Sequence, residues 1–225
     1  MLWLLGSISV QERWDTSFFD TIDSAAKAWV LGYLGGKGGL NHDRGNTYLT
    51  IYIPSRDKQL INIYKEILDY KGVVTRDKRS ALNVDHFRIR VKVTGLETRL
   101  RALGIGTKRA YLFPFQEVPK RFHPDLIRGW LEAAGSWSKG KGRHWYLYIC
   151  AQSTRAVEEF KTWAQSIGCI GKLAIHEGPS TKLYITSQSD MREIYRALYV
   201  CDTKLTIPHH RKRAETAIIT ALEEE

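Results

Sequence analysis

Leu31-Gly32-Tyr33-Leu34-Gly35-Gly36-Lys37-Gly38 finds a counterpart about 97 residues further along, in Ile127-Arg128-Gly129-Trp130-Leu131-Glu132-Ala133-Ala134-Gly135-Ser136. Each stretch falls in a predicted helix. The first runs from Ala25 to Gly36 with Asp23 as candidate cap; the second runs from Asp125 to Gly135 behind Pro124, a residue suited to the first helical position. Gly38 and Gly135 end them. Small residues recur four apart, Gly32 with Gly36 and Gly129 with Ala133, so each helix carries a smooth stripe on one face. Such a stripe fits any close helix pair; in a duplicated chain it also fits the two opening helices packing on one another at a pseudo-twofold axis.

Working outward, the two halves keep the same order. A turn-rich stretch follows each opening helix, then an alternating strand, Asn46 to Ile53 and His144 to Ala151. Amphipathic helices come next, carried by Leu60, Ile63, Tyr64, Ile67 and Leu68, and by Val157, Phe160, Trp163, Ala164 and Ile167. Further strands are expected near Val73 to Asp77, His86 to Val93, Cys169 to His176 and Lys182 to Thr186. Short helices close the units, Glu97 to Leu103 and Asp190 to Leu198, and a basic tail helix spans His209 to Leu222. Three prolines between Pro114 and Pro124 mark a linker. The expected division is an extension over 1–17, a first repeat over 18–113, a linker over 114–123 and a second repeat with the tail helix over 124–225.

Alternation separates a core face from a polar one. On the His86 strand, Phe87, Ile89, Val91 and Val93 point one way and His86, Arg88, Arg90 and Lys92 the other. Trp145, Leu147, Ile149 and Ala151 are expected inward, opposite His144, Tyr146, Tyr148 and Cys150; Lys182, Tyr184 and Thr186 repeat the outward pattern. A solvated sheet face is the ordinary reading of any one such strand. Several strands rich in Arg, Lys, Tyr and His also suit a ribbon in the major groove of DNA, where Arg or Lys reads guanine and other cations hold phosphates. The candidate contacts are Arg44, Tyr48, Lys78, Arg79, Arg88, Arg90, Lys92, Lys139, Lys141, Arg143, Tyr146, Tyr148, Lys172, Lys182 and Tyr184. Of these, Lys139, Lys141 and Arg143 are expected in one loop, and Arg44, Lys78 and Arg79 in comparable loops of the first half. Trp137 and Trp145 are candidates for base stacking, with core positions the commoner role of such residues.

Composition agrees. Lys and Arg total 34 against 24 acids among 225 residues, a formal charge of +10, which favours an anionic partner. Nucleic acid leads; a membrane surface and a plain solubility charge are the alternatives. The three cysteines, Cys150, Cys169 and Cys201, form no CxxC pair, which argues against a disulfide framework and a cysteine zinc site and for a reducing compartment. Met1 to Val10 lacks a basic leader and is too short to span a bilayer, so no secretion signal and no membrane partner are expected. His42, His209 and His210 have no recognisable metal-ligand spacing around them.

The two motif copies, the lead-in Phe18-Phe19-Asp20-Thr21-Ile22-Asp23, the approach Leu103-Gly104-Ile105 with the segment Lys108 to Pro119, and the closing segment Asp202 to Arg213 resemble the single-chain, two-motif form of the LAGLIDADG homing endonucleases. The resemblance covers nearly everything after residue 17. It implies an α+β fold of two pseudo-symmetric αββαββα repeats, each with an antiparallel sheet, in which the motif helices form the central interface and the sheets a saddle over DNA. It also implies a monomer, intron or intein mobility, and a cytoplasmic or organellar setting. Active members of the family place an acid before the final glycine of each motif, and those carboxylates hold Mg²⁺ at the scissile phosphates.

This chain departs from that pattern at both positions. Lys37 and Ala134 stand where the acids belong, and neither ligates Mg²⁺. Glu132 is the remaining motif acid, and two positions back on a helix is about 200° around, away from the expected site. Lys37 either meets a DNA phosphate directly or points to solvent, and Lys92 is a candidate for a basic residue that assisted catalysis near the phosphate in an active ancestor, with DNA contact as its ordinary role. The expected function is sequence-specific double-stranded DNA binding without cleavage and without a cofactor. The rivals are an active endonuclease or nickase recruiting Glu132, an RNA-binding intron-splicing helper, and a transcriptional regulator that kept the saddle.

Overall fold

The computed structural model describes residues 14–79, 84–106, 111–140, 144–171, 174–176, 178, 180–200 and 205–223. Met1 to Val10, Lys141, Arg143, Lys172 and Cys201 lie outside them.

The first repeat contains α1 (Ala25–Lys37), β1 (Gly38–Asp43), β2 (Asn46–Pro54), α2 (Leu60–Ile67), β3 (Thr75–Arg79), β4 (Val84–Lys92) and α3 (Glu97–Ala102). The second repeats that order as α4 (His123–Ala134), β5 (Gly135–Lys139), β6 (Trp145–Ala151), α5 (Thr154–Ser166), β7 (Ala174–His176), β8 (Thr181–Ile185) and α6 (Gln188–Tyr199), followed by a tail helix α7 (Pro208–Glu223). Each repeat forms a four-stranded antiparallel sheet, in the orders β1-β2-β4-β3 and β5-β6-β8-β7. The α+β architecture of two αββαββα units is therefore present.

The stretches after the opening helices, expected to be turn-rich, are strands. Each helix passes directly into its strand through a glycine, Gly38 or Gly135, whose backbone is extended. Space demands glycine there. A Cβ on Gly38 would stand 2.6 Å from the Leu34 side chain, and one on Gly135 would stand 2.7 Å from Leu131. β1 and β2 then turn at Arg44 and Gly45, both with positive φ, the pairing that a two-residue hairpin of matching twist requires.

Other expectations shift locally. The α1 cap is Ser24, whose hydroxyl accepts from the Lys27 amide, while Asp23 instead pairs with the Lys27 ammonium at 3.3 Å. Lys78 and Arg79 belong to β3, paired with Asp85 and Val84, rather than to a loop, because the β4 edge extends the ladder to them.

The core is continuous across the two repeats. α1 buries eight consecutive residues, Ala28 to Gly35, so it has no solvent face for most of its length. It lies against α4 at glycine-to-backbone distance. A methyl on Gly32 would come within 1.9 Å of the Leu126 carbonyl oxygen, and one on Gly129 within 2.1 Å of the Trp29 carbonyl oxygen; on Gly36 it would meet the Ala133 methyl at 2.5 Å. The small-residue stripes of Gly32, Gly36, Gly129 and Ala133 thus face one another. The inward rows Leu49, Ile51, Ile53 and Ile89, Val91, Val93, then Leu147, Ile149 and Leu183, Ile185, cover this centre with α2 and α5.

Candidate nucleic-acid interface

Strand alternation leaves one face of each sheet outside the core. In the first sheet Tyr48, Thr50 and Tyr52 on β2 stand opposite Lys92, Arg90 and Arg88 on β4. Arg90 is held in place: its guanidinium donates to Asp43 at 3.0 Å and lies 3.8 Å from the centre of the Tyr48 ring. Arg88 donates to Thr75 Oγ1 at 3.2 Å, and Lys92 is exposed. Such half-exposed pairs hold geometry at little energetic gain and exchange readily for another anion. Arg44 projects from the hairpin tip, exposed.

The second sheet has the same register with different chemistry. Gly38 pairs with Ile51 and Gly135 with Ile149, and from that shared origin Thr50 opposite Arg90 corresponds to Tyr148 opposite Tyr184. Arg88 corresponds to Lys182, which faces Cys150 and is exposed. Tyr146, Tyr148 and His176 gather around Tyr184, with ring centres 6.0, 5.0 and 5.6 Å from it. Lys139 is exposed at the end of β5, a strand residue rather than a loop one. Trp137 is buried, filling the core instead of offering a ring for stacking, and Trp145 packs half-buried against that core.

Between the sheets, at the C-terminal ends of α1 and α4, lies a cavity of 420 Å³. Lys37 and Ala134 line it together with Arg56, Asp57, Glu132, Ser136, Tyr148, Cys150 and His210. Among the described residues the Lys37 ammonium has no hydrogen bond or ion pair, and burial, with the Arg56 guanidinium nearby, draws it below the usual lysine range. Lys37 is half-buried in the wall of this cavity rather than standing free in bulk solvent, the second of the two expectations for it.

Of the two acids in the cavity wall, Glu132 is engaged through both oxygens, whereas Asp57 keeps its buried Oδ1 without a hydrogen bond among the described residues. Glu132 accepts from the Trp29 indole at 2.9 Å and from the Thr206 hydroxyl, and burial pushes its carboxyl up to about 7. Asp57, itself buried, faces Arg56 at 3.6 Å and His209 at 3.0 Å. His210 is buried, and burial together with His209 and the surrounding cations holds it down to about 3, so its ring is neutral. His42 hydrogen-bonds Thr47 at 3.0 Å, far from these groups in role. Among the described residues no cluster of three or more His, Cys, Asp and Glu side chains is arranged to hold a metal ion.

The residues missed in the sequence are Arg56, Asp57 and His176. Arg56 and Asp57 follow Pro54 in a single 3-10 turn and acquire meaning only when the tail helix brings His209 and His210 to them. His176 carried a signal, since it continues the outward row of a short strand. No helix among the described residues is long and apolar enough to cross a membrane.

No family model matches the sequence, and no curated protein does either. Solved structures match over most of the chain. "I-SmaMI bound to uncleaved DNA target in the presence of Calcium ions" is 12% identical, covering 88% of this chain and 92% of that one with a TM-score of 0.55. The LAGLIDADG homing endonuclease I-GzeII in complex with its DNA target is 12% identical over 88% and 90%, with a TM-score of 0.57. The LAGLIDADG meganuclease I-AabMI bound to uncleaved DNA is 14% identical over 87% and 90%, with a TM-score of 0.55. The chain has the fold of these single-chain, two-repeat endonucleases.

Proposed function

We propose that this chain binds double-stranded DNA sequence-specifically along its two sheet faces, as a monomer, and does not cleave it by a metal-assisted route. The observation that carries the binding is the outward row Arg88, Arg90 and Lys92 on an inner strand of the first sheet, where pairing with β2 holds all three cations in register and β3 flanks Arg88 on the other side. Support comes also from the solved structures of like fold that hold DNA. In a major groove, Arg88 and Arg90 have the donors that suit guanine edges, while Lys92, Arg44, Lys139 and Lys182 suit phosphates. Lys78 and Arg79 extend the first sheet along β3. Tyr48, Tyr146, Tyr148 and Tyr184 supply apolar rings and hydroxyls, the chemistry that meets a thymine methyl or a phosphate.

A divalent metal does not fit the helix feet. Phosphodiester hydrolysis of this kind needs carboxylate oxygens free to take a hard cation, and here a lysine and an alanine occupy the positions in question. Glu132 would have to leave both the Trp29 indole and the Thr206 hydroxyl to serve, which disfavours a nickase built on it. The test is to select bound duplexes from a random library and incubate the best one with Mg²⁺ and either this protein or its Lys37→Asp, Ala134→Asp double variant. Tight binding with strand breakage only by the double variant is expected; breakage by the unaltered chain would overturn the proposal.

One observation favours a second reading, binding to intron RNA. The ring cluster Tyr146, Tyr148, Tyr184 and His176 has the chemistry on which unpaired bases stack. Failure to select any duplex, with retention of structured RNA, would put that reading first. A transcriptional role shares the binding proposed here and differs only in its target.

A further inference from the structure

The pseudo-twofold symmetry of the backbone is broken chemically at the helix feet, where Lys37 and Ala134 occupy equivalent positions in one cavity. Among the described residues Lys37 is the cation of this cavity without a counter-charge in contact. Arg56 faces Asp57 at 3.6 Å, and the Asp57 charge reaches Lys37 only through space; burial draws His209 beside Asp57 below the usual histidine range, His210 is a neutral ring, and Glu132 is tied to Trp29 and Thr206. Ala134 offers a methyl group. Burying an ammonium with no partner costs free energy, and a site that holds one recovers that cost when an anion arrives.

We infer that this cavity is a seat for one backbone phosphate of one DNA strand, gripped by Lys37, and that the opposite strand has no equivalent grip at Ala134. The inference rests on the duplex binding proposed above. It makes the central contact a direct ammonium–phosphate pair and makes it strand-asymmetric, although the fold around it is symmetric. No bond is made or broken, and the Cys150 and Ser136 side chains in the wall serve as further polar lining.

The experiment uses the duplex selected for the full chain, with single methylphosphonate linkages, which carry no charge, placed one at a time along the central base pairs of each strand. For the unaltered protein one linkage on one strand is expected to weaken binding about tenfold, the scale of a lost charged hydrogen bond. Lys37→Met is expected to weaken binding to the native duplex to the same extent and to become indifferent to that linkage. Its log–log salt slope falls by about 0.9, one phosphate's share. Ala134→Lys is expected to create a second sensitive linkage on the other strand, a gain that misfolding cannot mimic; thermal melts of both variants confirm the fold. Equal sensitivity of the two strands in the unaltered protein, or a Lys37→Met variant that keeps the full methylphosphonate effect, overturns the inference while leaving duplex binding intact. Absence of any bound duplex overturns both.

Discussion

Trp29 on α1 donates its indole N–H to Glu132 on α4 at 2.9 Å, so the only acid left in either motif ties the two central helices together. Thr206, just before the tail helix, donates to the same carboxylate. Helical position turns this side chain away from the helix feet, yet it is a structural link at the wall of the central cavity, and its burial has a thermodynamic consequence.

Because burial raises the folded-state Glu132 carboxyl to about 7, above the ordinary glutamate range, the folded chain holds its proton over a range where the unfolded chain has released it. Stability contributed by this group is complete below the unfolded value and is lost as pH rises toward the folded one, by up to about 3 kcal/mol. Urea midpoints between pH 5 and pH 8 should fall accordingly. Glu132→Gln keeps an acceptor for Trp29 and should flatten that slope; an unchanged slope would show that the acid is ionised at little cost.

Gly32→Ala and Gly129→Ala should each destabilise by about 3 kcal/mol or more, since each added methyl meets a carbonyl of the facing helix and overpacking of rigid backbone is at the high end of such costs. Gly39→Ala, where an added Cβ has no neighbour within 4 Å, is the control and should lie within about 0.5 kcal/mol of the parent. Equal midpoints for Gly32→Ala and Gly39→Ala would refute the close helix crossing.

Arg128 is buried in α4 and donates to the Leu205 and Leu198 carbonyls at 3.0 and 2.8 Å and to Asp125. It anchors the segment that leads into the tail helix. Arg128→Met should cost about 3–5 kcal/mol by leaving those acceptors and the Asp125 charge unmatched, and Arg128→Lys should recover little, since one ammonium cannot span the fork. Thermal melts of the two variants decide it.

Arg90 must leave Asp43 before it meets DNA, so Asp43→Asn should tighten duplex binding severalfold while Arg90→Ala weakens it. Arg88→Ala and Lys92→Ala should each lower the salt slope by about one if they hold phosphates, and leave it nearly unchanged if they read bases. Fluorescence anisotropy across a salt series separates these outcomes, and a flat response for the unaltered protein would count against the cationic face.

Much of the fold was legible because its signals are local. Alternation at period two placed Ile89 and Val91 inward and Arg88 and Arg90 outward, and the small-residue stripes marked the faces on which the two opening helices meet. β1 escaped notice since Gly38–Asp43 is glycine-rich and polar, with little strand preference of its own; pairing with β2 imposes its extension. β5 left a faint trace in the alternation around Trp137, too short to stand alone.

By itself the amino-acid order determined the repeat, most of the element types, the small-residue helix faces and the loss of both motif acids, because each is written in short local patterns, the repeat in two copies of one such pattern. Tertiary structure alone decided that Lys37 shares a cavity with Arg56 and His210, that Glu132 is held by Trp29 and Thr206, and that Arg90 and Tyr184 occupy matching places in two like sheets. Those pairings join residues far apart in the chain, where no periodicity reaches and only packing of the two repeats and the tail helix fixes which charge meets which.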